Sequence, residues 1–86
     1  MANDIELIGN PASSHTLLRI RLGESQTVTV RVLDMTGRTL RTILPGRVEA
    51  GSTDIDIETA DLSAGTYYLV AEWSGRQYAK KLQVVK

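Results

Sequence analysis

Apolar and polar residues alternate with a period of two along most of the chain. Leu18, Ile20 and Leu22 are spaced by Arg19 and Arg21, and Val28, Val30 and Val32 by Thr29 and Arg31. That period puts successive side chains on opposite faces of an extended backbone, so both segments read as strands buried on one side. Asp34-Met35-Thr36-Gly37-Arg38 turns the second strand into a third over residues 39–44, where Gly37 can take the positive φ of a tight hairpin and Pro45-Gly46 ends the strand. Ile55 and Ile57, set among Asp54, Asp56 and Glu58, make a further strand whose carboxylates face water. Beyond a corner at residues 60–65, Tyr67, Leu69, Ala71 and Trp73 share one face, while Tyr68, Val70 and Glu72 share the other. Ser74-Gly75 reverses the chain into a last strand over residues 78–85, with Leu82 and Val84 inward. Residues 5–8 make a short first strand before an Asn10-Pro11 turn.

Seven short strands with no helical period predict an all-β fold, an immunoglobulin-like sandwich of two antiparallel sheets. The corner Leu62-x-x-Gly65-x-Tyr67 has the form of a tyrosine corner, in which the phenol hydroxyl bonds back to the crossing backbone. With 86 residues there is room for one core only. Residues 1–3 read as an added start and residues 4–86 as a single domain cut from a longer protein.

Composition narrows the function classes. Ten Lys plus Arg balance ten Asp plus Glu, so nucleic acid and anionic membrane are poor partners. The absence of Cys removes disulfides, thiol catalysis and Cys-ligated zinc. No apolar run reaches the ~18–20 residues of a membrane span, so direct membrane insertion is not expected, and the first residues do not form a signal peptide.

Few residues suggest chemistry. Asp54, Asp56, Glu58 and Asp61 could offer oxygen ligands to calcium, but alternation with isoleucine accounts for them as a solvated face, and no Gly-containing calcium loop is present. Arg19, Arg21 and Arg31 form an outward stripe or serve as cross-strand partners for those carboxylates, and the latter is the simpler account. His15 follows Ser13 and Ser14, yet nothing supplies an oxyanion hole or a strained nucleophile turn, so no enzyme, catalytic residue, metal or cofactor is expected. Tyr67 and Trp73 belong to a core face, leaving Tyr68 and Tyr78 as exposed platforms for a sugar.

Four segments, in order and spanning nearly the whole chain, resemble the C-terminal sorting domain of the type IX (Por) secretion system of Bacteroidetes. Leu7-Ile8-Gly9-Asn10-Pro11-Ala12 is similar to the family's Tyr-Pro-Asn-Pro-Ala opening, with Ile8-Gly9 departing from Tyr-Pro. Val30 to Arg38 resembles its strand ending in Asp-x-x-Gly-Arg. Asp61-Leu62-Ser63-Ala64-Gly65-Thr66-Tyr67 resembles its Leu-x-x-Gly-x-Tyr corner, and Lys80-Lys81-Leu82-Gln83-Val84-Val85-Lys86 its closing Lys-Leu-x-Val segment. The resemblance implies a non-enzymatic address label on an N-terminal cargo, read by an outer-membrane translocon and removed by a surface sortase, with the cargo secreted or held at the cell surface. It assigns translocon recognition to Lys81, Leu82, Val84, Val85 and Lys86, and fold maintenance to Asn10, Pro11, Gly37, Leu62, Gly65 and Tyr67. The rival expectation is an immunoglobulin- or fibronectin-like accessory module that binds carbohydrate or spaces a catalytic domain.

Overall fold

The computed structural model describes residues 3–9 and 12–86; the expected Asn10-Pro11 turn lies outside the described residues. Seven strands follow one another: β1 (Asp4–Ile8), β2 (His15–Leu22), β3 (Gln26–Leu33), β4 (Thr39–Val48), β5 (Gly51–Glu58), β6 (Gly65–Trp73) and β7 (Arg76–Val84). They make a three-stranded sheet, β1-β2-β5, and a four-stranded sheet, β4-β3-β6-β7, with every pairing antiparallel. This is the expected immunoglobulin-like sandwich. Its fourth strand joins β3, whereas constant-type immunoglobulin domains place it in the opposite sheet.

The two period-two faces close on each other. Leu18, Ile20, Leu22 and Ile57 of one sheet meet Val28, Val30, Val32, Leu69 and Leu82 of the other, all effectively excluded from water. Trp73 is 3% exposed and stacks on Tyr78, ring centroids 4.3 Å apart. Tyr78 is therefore half-buried against the core, and its expected role as an exposed platform is corrected.

Pro45-Gly46 does not end the strand that leaves the Asp34–Arg38 turn: β4 runs on to Val48. Pro lacks the N–H that a central strand must donate, but β4 is a sheet edge, and a register shift between Val28 and Val30 of the facing strand accommodates the interruption. Gly46, at φ 79°, supplies the left-handed backbone that this bulge needs. The last strand begins at Arg76, two residues earlier than its apolar pattern suggests, because Ser74 and Gly75 both take positive φ and form a two-residue hairpin that pairs Trp73 with Arg76 directly.

Candidate functional site

The strand registers define two poles of a domain 36 Å in its longest dimension. At one pole Asp4 pairs with Arg21 and Arg21 with Ser52. At the other, His15 faces Glu58, Gly65 faces Val84, and Leu33, Tyr68 and Lys81 form one row. The start of β1 and the end of β7 therefore lie at opposite poles. The β3–β4 turn, the β5–β6 corner, Gly9, Ala12 and the end of β7 all collect at the second pole.

The β3–β4 turn is organised by one carboxylate. Asp34 Oδ1 accepts from the Thr36 backbone N–H (2.9 Å), the Thr36 hydroxyl (2.6 Å) and the Arg38 N–H (3.0 Å). The turn closes through the Gly37 N–H donated to the Asp34 carbonyl at 3.0 Å, with Gly37 at φ 90°, a conformation that side-chain-bearing residues avoid. The Thr36 hydroxyl first, then the Arg38 backbone N–H, hold the Asp34 carboxyl below the usual carboxylate range. The Arg38 guanidinium lies 3.3 Å from Asp34 Oδ2. An Asp, a Gly three residues on and an Arg after it are thus one structural unit.

The corner behaves as its sequence predicts. Tyr67 donates its phenol hydroxyl to the Ser63 carbonyl at 2.6 Å, and Leu62 packs on the core edge after donating its N–H to the Thr59 carbonyl. Arg41 of β4 reaches across the sandwich to both carboxylate oxygens of Asp61 at 2.7 Å and to the Glu58 carbonyl at 2.6 Å. That guanidinium lowers the Asp61 pKa.

Strand β7 divides its residues by face. Leu82 (0% exposed) and Val84 (1%) are core side chains; Lys81 and Val85 are exposed. The β1–β2 connection lies along the end of this strand: Ala12 donates its N–H to the Gln83 carbonyl and accepts from the Val85 N–H, a parallel bridge. Lys86 then turns back, its Nζ donating to the carbonyls of Ser13 (3.0 Å), Thr59 (3.1 Å) and Ala60 (3.1 Å). A second tie holds the same place, the Thr59 N–H donated to the Ser14 carbonyl at 2.7 Å. Of the five residues expected to be recognised, the structure thus leaves two for surface contact, turns two into anchors, and makes Lys86 a clasp over both sheets. The roles of Ala12, Ser13 and Thr59 were invisible in the sequence, because backbone carbonyls and amides carry no residue signature.

Other candidates resolve into structure. Asp54 receives Arg19 through two bonds of 2.8 and 3.1 Å, which hold its carboxyl low, and Arg21 bridges Asp4 and Glu6. Arg31 lies 3.8 Å from Glu72. Among the described residues no group of three or more His, Cys, Asp or Glu could hold a metal ion. His15 is exposed, with Nδ1 3.3 Å from the Ser14 hydroxyl, at the rim of an open cavity of about 520 Å³ floored by Ile8 and Leu17. Trp73, which a sugar-binding face would use, is interior.

Comparisons with known proteins bear on this arrangement. None of the curated proteins matches the chain. The solution NMR structure of residues 272–376 of a protein described as a cell surface protein from Methanosarcina acetivorans is similar, with a TM-score of 0.60 and 18% identity over 100% of this chain and 95% of that one. At that identity the likeness speaks for the fold alone. Among the described residues no helix is long and apolar enough to cross a membrane. A family model described as a secretion system C-terminal sorting domain matches residues 8–85, a span that takes in the β3–β4 turn, the tyrosine corner and the closing strand. With that match over essentially its whole length, and with those segments gathered at one pole, the chain belongs to the C-terminal sorting domains of the type IX secretion system.

Proposed function

We propose that this domain is a non-enzymatic address that directs a cargo joined at its N-terminal side through the type IX outer-membrane translocon, and that a surface sortase then removes it, leaving the cargo released or attached to the cell surface. The observation that carries the reading is the division of the molecule into poles. The start of β1, where cargo would join, lies at the opposite pole from the end of the closing strand, so a folded cargo leaves the second pole open.

Recognition falls to the closing segment. Lys81 and Val85 offer surface chemistry, Leu82 and Val84 fix the strand against the core, and Lys86 holds its end in one place. A rigid, pre-ordered epitope binds without the entropy cost of ordering a loose tail. The test is export of a reporter carrying a signal peptide at its start and this domain at its end, in a type IX-competent host, with and without Val84-Val85-Lys86. Reporter found outside the cell with the domain removed, and retained in the periplasm on truncation, supports the reading; an intact, folded fusion stranded in the periplasm overturns it.

A further inference from the structure

The formal neutrality of the chain conceals a separation of charge. The four-stranded sheet carries Arg31, Arg41, Arg47, Arg76, Lys80 and Lys81 against the single anion Glu72. The three-stranded sheet carries Asp4, Glu6, Asp54, Asp56 and Glu58 against Arg19 and Arg21. The strands alone thus hold formal charges of +5 and −3; in the four-stranded sheet Arg31, Arg47 and Lys81 share the outward register with Glu72, whereas Arg41 reaches across to Asp61, and Arg76 and Lys80 pair with the inward Trp73 and Leu69 at the β7 edge.

The two outer faces also differ in what lies between their charges. On the three-stranded sheet, Arg19 and Arg21 are taken up by carboxylates of their own face. On the four-stranded sheet an apolar patch is exposed: Leu40 at 40%, Leu44 at 73% and Tyr68 at 37%, with Met35 at 69% in the adjoining turn. Val70, on this same outer face, is 6% exposed and forms part of its floor, and Leu33, Tyr68 and Lys81 run across it in one row at the second pole. An aromatic and aliphatic centre edged by Lys and Arg has the composition of a protein interface core. A polyanion would instead be met by an unbroken cationic track, which Glu72 and the exposed leucines interrupt.

We propose that the outer face of the four-stranded sheet, around Tyr68 and Leu40, docks on a protein surface of the export machinery that presents apolar side chains ringed by carboxylates. The proposal rests on the sorting reading and names a second contact beyond the closing segment. Charge complementarity sets the partner's sign: a face backed by a net cationic sheet attracts and orients an acidic surface, and the anionic sheet behind it disfavours docking the wrong way round.

The same reporter fusion tests it, with Leu40→Thr/Tyr68→Thr as the face variant, Arg47→Glu, outside the closing segment, as the charge variant and Asp56→Asn/Glu58→Gln as a control on the opposite face. Thr keeps strand propensity at both exposed positions, and thermal unfolding of each purified domain shows whether it is folded. Exported reporter falling tenfold or more for the face and charge variants, with the opposite-face control equal to the parent, is the expected result. Face variants exported like the parent while truncation of Val84-Val85-Lys86 stalls export would overturn the docking face and leave the sorting reading standing. Failure of the intact fusion itself would sink both. Sedimentation with phosphatidylglycerol vesicles supplies the remaining arm: no binding is expected, and binding abolished by Leu40→Thr/Tyr68→Thr would assign the face to lipid and overturn the proposal.

Discussion

The two poles of the sandwich are built on different principles. At the pole where β1 begins, short connections between strands are joined by exposed side-chain bonds, such as Ser74 Oγ to Gln26 Oε1 at 2.7 Å and Ser25 Oγ to Glu49 Oε2 at 2.9 Å. At the pole where β7 ends, segments far apart in sequence are joined through backbone groups: Ala12 to Gln83 and Val85, Thr59 to Ser14, and Lys86 to three carbonyls, while Tyr67 closes its own corner on Ser63. Exposed side-chain bonds compete with water and constrain little, whereas backbone ties between distant segments close long loops and define one geometry. The segments typical of the family lie at the second pole, so its fold motifs and the end of its closing strand are one construction.

The sharpest way to break this contrast is at the anchor. Leu82→Ala should cost about 2–5 kcal/mol by opening a cavity under the closing strand, read as a fall in the urea midpoint without a change of slope. Tyr67→Phe removes the donor to Ser63 and should cost about 1 kcal/mol, a drop in melting temperature of roughly 4–8 °C for a domain this size. Lys86→Met keeps the aliphatic stem and removes the ammonium. A loss of about 1 kcal/mol is expected, with amide exchange at Val85 accelerating more than at the opposite pole; equal acceleration at both would contradict the clasp. Gln26→Ala at the first pole should stay within about 0.5 kcal/mol of the parent, and a larger loss would erase the distinction between the poles.

Titration gives a smaller, complementary contrast. Asp34, Asp54 and Asp61 all have folded pKa values below the usual carboxylate range, held there chiefly by Thr36, Arg19 and Arg41 respectively. A depressed folded pKa contributes stability that is fully present above the unfolded value, near ~3.9, and is lost as pH falls through the folded value. The urea midpoint should therefore hold between pH 7 and about 5 and fall below about pH 4. Asp34→Asn should flatten part of that fall and accelerate amide exchange at Thr36 and Arg38. Unchanged exchange there would show that the turn does not depend on the carboxylate.

Much of the fold was legible because it rests on local physics. Alternation at residues 18–22, 28–32 and 67–73 names both the strand and its buried face, since a one-residue slip would turn every side chain over. Turn chemistry at Asp34 to Arg38 and at Ser74-Gly75, and the spacing of Leu62, Gly65 and Tyr67, likewise act within a few residues. The strand over residues 39–44 was legible but its continuation to Val48 was not, because an edge strand with half-buried Arg41 and Ile43 and a bulge at Gly46 has neither a clean period nor a central strand's exclusion of Pro. The family was legible from its short segments, and a neutral total charge correctly read from composition still hid two opposed sheets.

The sequence by itself determined which residues are strand, which side of each strand is apolar, and which turns reverse the chain, because those choices are settled between neighbours. Only the tertiary structure decided that β4 runs on past Pro45 along β3, that Ala12 pairs beside the end of β7, and that Lys86 clasps Ser13, Thr59 and Ala60. It also decided that cations gather on one sheet and carboxylates on the other. These depend on which distant backbones are brought within hydrogen-bonding reach, and no local pattern of side chains records that.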